Sequence, residues 1–123
     1  MAVLSVHHIS MVVANTQQSV RFYQEILELA PCNDRPELAF PGAWLQIGEQ
    51  QIHLLEVSNP DPVTGRPPHG GRDRHLALSV DNLAAIEQRL EARGVEYTKS
   101  QSGRAALFFR DPDGNTLELI EKR

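Results

Sequence analysis

The chain has 123 residues, enough for one domain and too few for two independent cores. Its 41% hydrophobic and 23% charged residues lie near the globular average, which excludes a disordered tail or a fibre. Sixteen acids against twelve bases leave a net charge of −4, which argues against a nucleic-acid binder, because such a protein needs a basic footprint to displace counterions.

The apolar start, residues 2–14, lacks a basic leader and is interrupted by His7, His8 and Ser10. Neither a signal peptide nor a membrane partner is expected, and the default location is cytoplasmic. Residues 8–13, HISMVV, alternate as a strand does: Ile9, Met11 and Val13 form an apolar set, and His8, Ser10 and Val12 form the other face. His7 has the wrong parity and reads as a surface residue. Asn15 or Thr16 can cap the helix that follows, with Val20, Tyr23, Ile26, Leu27 and Ala30 at helical spacing and Pro31 as its stop. Cys32, the only cysteine, cannot form an intrachain disulfide and reads as structural. A second strand is expected near residues 32–40, then strand, turn and strand across AWLQIGEQ at 43–50 and IHLLE at 52–56. In the last, Ile52 and Leu54 suit the helix side, which leaves His53 opposite.

Residues 58–74, SNPDPVTGRPPHGGRDR, hold four prolines and three glycines, a composition that prevents regular pairing. This is the expected linker, with His69 solvated within it unless the loop covers a cleft. Fully extended it spans roughly 56 Å, enough to join two halves in one chain or to hand one half to a partner chain.

An internal repeat then becomes visible. Residues 75–82, HLALSVDN, repeat HISMVVAN at 8–15, with histidine leading both. Asp81 or Asn82 caps a second helix with Leu83, Ile86 and Leu90 on one stripe and Gly94 as its stop. A strand is expected near residues 95–101. ALFFRDPDGN at 106–115 reads as a strand and a hairpin turn with Gly114 at positive φ, since it lacks the later bidentate glutamate of a calcium loop. LELIE at 117–121 matches IHLLE at 52–56, setting Glu118 against His53.

Each half therefore reads as a βαβββ module, one over about 1–57 and one over about 75–123, within a single α+β domain. Packing the half-sheets side by side gives an incomplete eight-stranded barrel with helices on the outer face. His8, His53, His75 and Glu118 share faces turned away from the helices, and pseudo-twofold symmetry would bring them together at the axis. Imidazole nitrogens and a carboxylate oxygen suit a divalent ion: Zn, Ni, Mn, Co or Fe.

HHISMVV at 7–13, SVRFYQEIL at 19–27, QIHLLE at 51–56, RHLALSV at 74–80 and DPDGNTLELIE at 111–121 together resemble the vicinal oxygen chelate superfamily. That superfamily includes glyoxalase I, methylmalonyl-CoA epimerase, fosfomycin thiol transferases, extradiol dioxygenases and bleomycin-resistance proteins, and this chain is nearest to glyoxalase I-like members. The resemblance implies His8, His75 and Glu118 as metal ligands. The fourth position, glutamate in bacterial glyoxalase I and glutamine in an epimerase, is His53 here. Val12 and Val57 stand where glyoxalase I carries its glutathione contacts.

The resemblance further implies a homodimer and a metal-dependent lyase or isomerase in which Glu118 is catalytic, moving a proton. The substrate would be a small organic molecule chelated through adjacent oxygens. Strand parity lines its cavity with Ser10, Val12, Trp44, Gln46, Leu55, Ala77, Ser79, Phe108 and Ile120. Two alternatives stand beside this: a non-catalytic small-molecule binding or resistance protein of the same fold, and a fosfomycin-type thiol transferase.

Overall fold

The alternation in HISMVV builds a strand, β1 (His8–Val13), in the computed structural model of the chain, which describes residues 2–122; Met11 and Val13 are buried while His8 and Ser10 are exposed. Asn15 then turns the backbone with an extended conformation, and its side chain accepts the Gln18 N–H at 2.9 Å to open α1 (Thr16–Leu27). The helix ends earlier than Pro31. Glu28 takes the left-handed conformation, φ 59°, and returns its N–H to Gln24 and Tyr23, so Ala30 lies beyond the helix. The buried stripe is Ser19, Phe22, Tyr23 and Ile26, a three-four spacing centred one residue away from the expected one. Tyr23 is fully buried and donates its hydroxyl to Met11 Sδ at 3.2 Å, which fixes α1 on the apolar face of β1. Burying each such side chain contributes about 1.5–3 kcal/mol.

β2 (Gly42–Ile47) and β3 (Gln50–Glu56) form an antiparallel hairpin, and β3 also runs parallel to β1, giving the order β1-β3-β2. The parallel pair needs a crossover, and α1 supplies it. The strand expected near residues 32–40 is reduced to an isolated bridge between Pro31 and Leu45, with the Cys32 N–H donating to the Trp44 carbonyl at 2.8 Å. Pro31, Pro36 and Pro41 offer no ladder N–H. The Arg35 guanidinium instead closes the segment, donating to the Phe40 carbonyl at 2.7 Å.

The second sheet has the order β4-β7-β6-β5, built from β4 (His75–Val80), β5 (Tyr97–Lys99), β6 (Ala106–Arg110) and β7 (Thr116–Glu121). α2 (Leu83–Ala92) is capped by Asn82, whose side chain accepts the Ala85 N–H at 3.1 Å, and it packs on β7 through Ile86 and Leu90. Between β6 and β7 the Asp111 carboxylate accepts the N–H groups of Asp113 and Asn115, both at 2.9 Å, and Gly114 takes φ +82°. That is the hairpin turn expected from DPDGN.

The described residues thus form two helices and seven strands, an α+β fold one strand short of the expectation. The chain divides into two compact units, Met1–Pro60 and Asp61–Arg123. Most of the proline- and glycine-rich segment belongs to the second unit and is ordered there. A 3-10 turn, Gly70–Arg72, packs on β6 and β7. A Cβ at Gly70 would meet Thr116 Cγ2 at 2.7 Å and Phe108 Cβ at 3.0 Å, so the close approach requires glycine. No helix among the described residues is long and apolar enough to cross a membrane.

The repeat has one consequence for the helices. Glu56 Oε1 accepts the Thr16 N–H at 2.8 Å, and Glu121 Oε1 accepts the Leu83 N–H at 3.0 Å. The glutamate that ends IHLLE and LELIE therefore satisfies an orphan donor in the first turn of the helix of its own unit.

Candidate metal centre

In the second unit, strand register sets Ala77, Glu118 and Phe108 side by side across β4, β7 and β6, and it pairs His75 with Thr116. Side chains alternate along a strand, so His75 and Glu118 share a face. β7 is an inner strand, and Glu118 is only 4% exposed. His75 Nδ1 lies 2.9 Å from the Asp73 carbonyl. A carbonyl only accepts, so Nδ1 carries a proton and Nε2 is the ring atom left for another partner. That atom faces Glu118 Oε1 at 3.2 Å. An imidazole nitrogen and a carboxylate oxygen are donor types that suit a cation, and an Nδ1–H bond to a carbonyl is the kind of outer support that orients such an imidazole.

The support is itself anchored. Asp73 accepts from Arg66 at 2.7 Å and from Arg110 at 2.8 Å, and these guanidinium groups, Arg66 first, hold its carboxyl well below the usual carboxylate range. Arg110 also donates to the Pro67 carbonyl at 2.8 Å, tying the strap to β6. On the other side of Glu118, Oε2 accepts from Arg104 Nη2 at 3.1 Å.

In the first unit, His53 lies on the inner strand β3, level with Ser10 and Trp44, and is 7% exposed. Its ring is sandwiched: the Trp44 indole stacks at 4.0 Å with planes 3° apart, and the His8 imidazole at 3.9 Å and 15°. His53 Nε2 meets Gln51 Oε1 at 2.8 Å, while the Gln51 amide nitrogen donates to Gln46 Oε1 at 2.8 Å and to Asp34 Oδ2 at 3.2 Å. Burial pushes His53 below the usual imidazole value, and the neighbouring His8 and His7 push the same way. The neutral ring, the form that binds a metal, is therefore favoured. His8 is exposed and its Nδ1 contacts His7 Nδ1 at 2.8 Å.

The other residues expected at the cavity lie on the same strand faces as these four side chains. Ser10 is exposed, Val12, Trp44 and Leu55 are half-buried, and Gln46 turns its amide to Gly48 and Gln51. In the second unit Ala77 and Ser79 are exposed, Ile120 is half-buried, and Phe108 is buried with its ring 5.3 Å from that of His75. A cleft of about 290 Å³ opens beside Phe108 and is bordered by Tyr97, Thr98 and Thr116.

The four expected ligands are thus held as two pairs, His8 with His53 and His75 with Glu118, one in each unit. Among the described residues, no group of three or more His, Cys, Asp or Glu is gathered around one point. The donor types and the prepared Nε2 of His75 nonetheless fit a divalent ion.

One expectation needs correction. His69 is not a solvated linker residue: its Nδ1 accepts the Gly71 N–H at 3.0 Å, its ring lies 5.1 Å from that of Phe108, and its Nε2 is buried without a protein partner. Arg104, Asp73 and Gln51 escaped the sequence reading. They sit in turns or act through side-chain bonds, which periodicity does not report.

Comparison with known proteins identifies the family. The profile of the Glyoxalase/Bleomycin resistance protein/Dioxygenase superfamily matches residues 5–119. The chain is 29% identical over 120 residues to Glyoxylase I 4 of Arabidopsis thaliana, covering 94% of this chain and 69% of that protein. It is 33% identical over 121 residues to the glutathione transferase FosA of Serratia marcescens, covering 94% and 79%. Among solved structures, a putative glyoxalase family protein from Bacillus anthracis superposes with a TM-score of 0.81 at 21% identity, covering 100% of this chain and 98% of that one. An E126Q mutant of the fosfomycin resistance protein FosX of Listeria monocytogenes, complexed with Mn(II) and 1S,2S-dihydroxypropylphosphonic acid, superposes at 0.75 with 20% identity over 100% and 94%. TnmS3, an antibiotic binding protein from Streptomyces sp. CB03234, superposes at 0.69 with 29% identity over 100% and 99%.

Proposed function

Because the chain belongs to the glyoxalase, bleomycin resistance protein and dioxygenase superfamily, we propose that it is a divalent-metal-dependent enzyme of the lyase or isomerase type, whose small organic substrate chelates the ion through two adjacent oxygens. The observation that carries this reading is the His75–Glu118 pair, with Nε2 and Oε1 3.2 Å apart and the opposite ring nitrogen held by a carbonyl. His75 and Glu118 would hold the ion in the second unit, and His8 and His53 are a second pair of the same donor types in the first. A divalent ion in such a set supplies Lewis acidity to the substrate oxygens.

The protein's own groups do the rest. Glu118, buried and carrying two acceptor oxygens, takes a proton from the substrate and returns it. Phe108 lies against His75 and presents apolar surface there that limits water.

The test is metal content. Wild-type protein loaded with Mn²⁺ should retain it through gel filtration, and His75→Ala and Glu118→Ala should each weaken binding about 100-fold with unchanged circular dichroism. Loaded protein is then screened for turnover against 2-oxoaldehydes with thiols, acyl-CoA thioesters and fosfomycin. Unchanged metal content and turnover in both variants would refute the assignment.

A second reading, a non-catalytic binder, is favoured by the similarity to the antibiotic binding protein TnmS3 over the whole chain. The relation to FosA favours a thiol transferase as a third. Titration after chelation separates the first two, because a binder keeps its affinity without metal and the enzyme does not.

A further inference from the structure

We propose that the first unit carries a separate ligand site, a cleft at the opposite end of β1 from His8, which takes a small zwitterion of the α-amino acid class. Arg35 holds the carboxylate of that ligand and Glu56 its ammonium group. The site does not depend on the metal reading above.

Unmatched polar groups point to the cleft. Of the three side-chain polar atoms buried without a hydrogen-bond partner among the described residues, two, Thr16 Oγ1 and Arg35 Nε, belong to residues that border one opening of about 450 Å³. Asn15, Gly42 and Glu56 border it as well. A donor without an acceptor is costly to bury, so an N–H and an O–H left over at one opening call for an acceptor that enters from outside.

Both charged groups are held in advance. Arg35 Nη2 donates to the Phe40 carbonyl at 2.7 Å, and the guanidinium carbon lies 5.7 Å from the centroid of the Phe40 ring. A Cβ at Gly42 would collide with the Leu54 carbonyl oxygen and meet Arg35 Nη2 at 3.1 Å, so glycine there makes room for the guanidinium. Glu56 is fixed from two sides: Oε1 accepts the Thr16 N–H at 2.8 Å, and its own backbone N–H donates to the Pro41 carbonyl at 2.9 Å. Among the described residues Glu56 Oε2 takes no hydrogen bond, and Arg35 and Glu56, opposite in charge and bordering one cleft, form no ion pair with each other. A simple anion would meet the charge of Glu56 and a simple cation that of Arg35. A molecule carrying both charges satisfies each pole, and the Thr16 hydroxyl supplies a further donor for its carboxylate. An α-amino acid is the smallest common molecule with that pair of charges, and the cleft has room for one.

The experiment is an NMR titration of isotope-labelled full-length protein with L-alanine, propionate and ethylammonium. L-alanine should shift the Arg35 Nε–H resonance and the amide resonances of Thr16 and Gly42, saturating with a Kd of about 1 mM or below. Propionate and ethylammonium, each with one of the two charges, should bind about 10-fold more weakly or worse. Arg35→Gln and Glu56→Gln should each weaken L-alanine about 10-fold while the amide resonances outside the cleft stay in place, since glutamine at position 56 keeps an acceptor for the Thr16 N–H. L-alanine that moves none of these resonances, or binds no more tightly than propionate and ethylammonium, overturns the proposal, and so does an affinity that either variant leaves unchanged. The comparison of the three ligands is made on the wild-type chain and stands whether or not a variant folds.

Discussion

The indole of Trp44 lies flat on the imidazole of His53, 4.0 Å away with planes 3° apart, and Trp44 is the only tryptophan in the chain. Its fluorescence therefore reports on the state of that ring. In chelator-treated protein, acidification should quench emission as His53 becomes an imidazolium. The midpoint should lie below the ordinary histidine value of about 6.5, because burial and then His8 and His7 disfavour the charged form. Emission that titrates at or above that value, or identically in His53→Gln, would contradict the buried stacked ring.

Glu56 and Glu121 each cap a helix from the end of a strand. Glu56→Ala and Glu121→Ala should each lower stability by about 1–2 kcal/mol in urea denaturation, since each leaves a first-turn N–H without its charged acceptor. A glutamine at either position keeps an acceptor oxygen and should recover about half of the loss.

Asp73 combines two tasks. Its carboxylate, 8% exposed, joins Arg66 to Arg110, and its carbonyl orients His75. Asp73→Ala leaves two guanidinium groups without their shared partner, so a loss of about 3 kcal/mol and a fall of roughly 10 °C in melting temperature are expected. Mn²⁺ affinity should drop about tenfold in the same variant, because the strap that sets the His75 ring loosens. Arg66→Ala, which leaves Arg110 in place, should cost less on both measures.

Cys32 offers a check on the first unit. Its thiol is held protonated by the hydrogen bond with Asp34, by burial and by the Asp34 charge, all of which push it up. Alkylation by iodoacetamide at pH 8 should be slow for a free thiol, and Asp34→Asn should accelerate it about three- to tenfold by removing the main obstacle to the thiolate. A rate indifferent to Asp34 would show that access alone controls the thiol.

Much of this architecture is legible in the chain. The doubled histidine-led strand, the two asparagine caps and the alternation around Ile52, Leu54, Leu117 and Leu119 are local signals, and each appears in the structure at its expected place. The failures are local too. Glu28 enters the left-handed region two residues before Ala30, which periodicity cannot foresee in a non-glycine residue. The strand expected after Pro31 is reduced to a single bridge, and Pro36 in the middle of that segment offers no ladder donor.

By itself the sequence determined the residue types and the face on which they sit, because side-chain alternation is a property of the strand alone and needs no knowledge of its neighbours. Tertiary structure alone decided what those residues meet. It set the carbonyl behind His75, the rings around His53, the arginine on Glu118 and the strap anchored at Asp73. These contacts join positions far apart in the chain or pass through turns, and their strength depends on distance, exposure and charge, quantities that exist only once the backbone has folded.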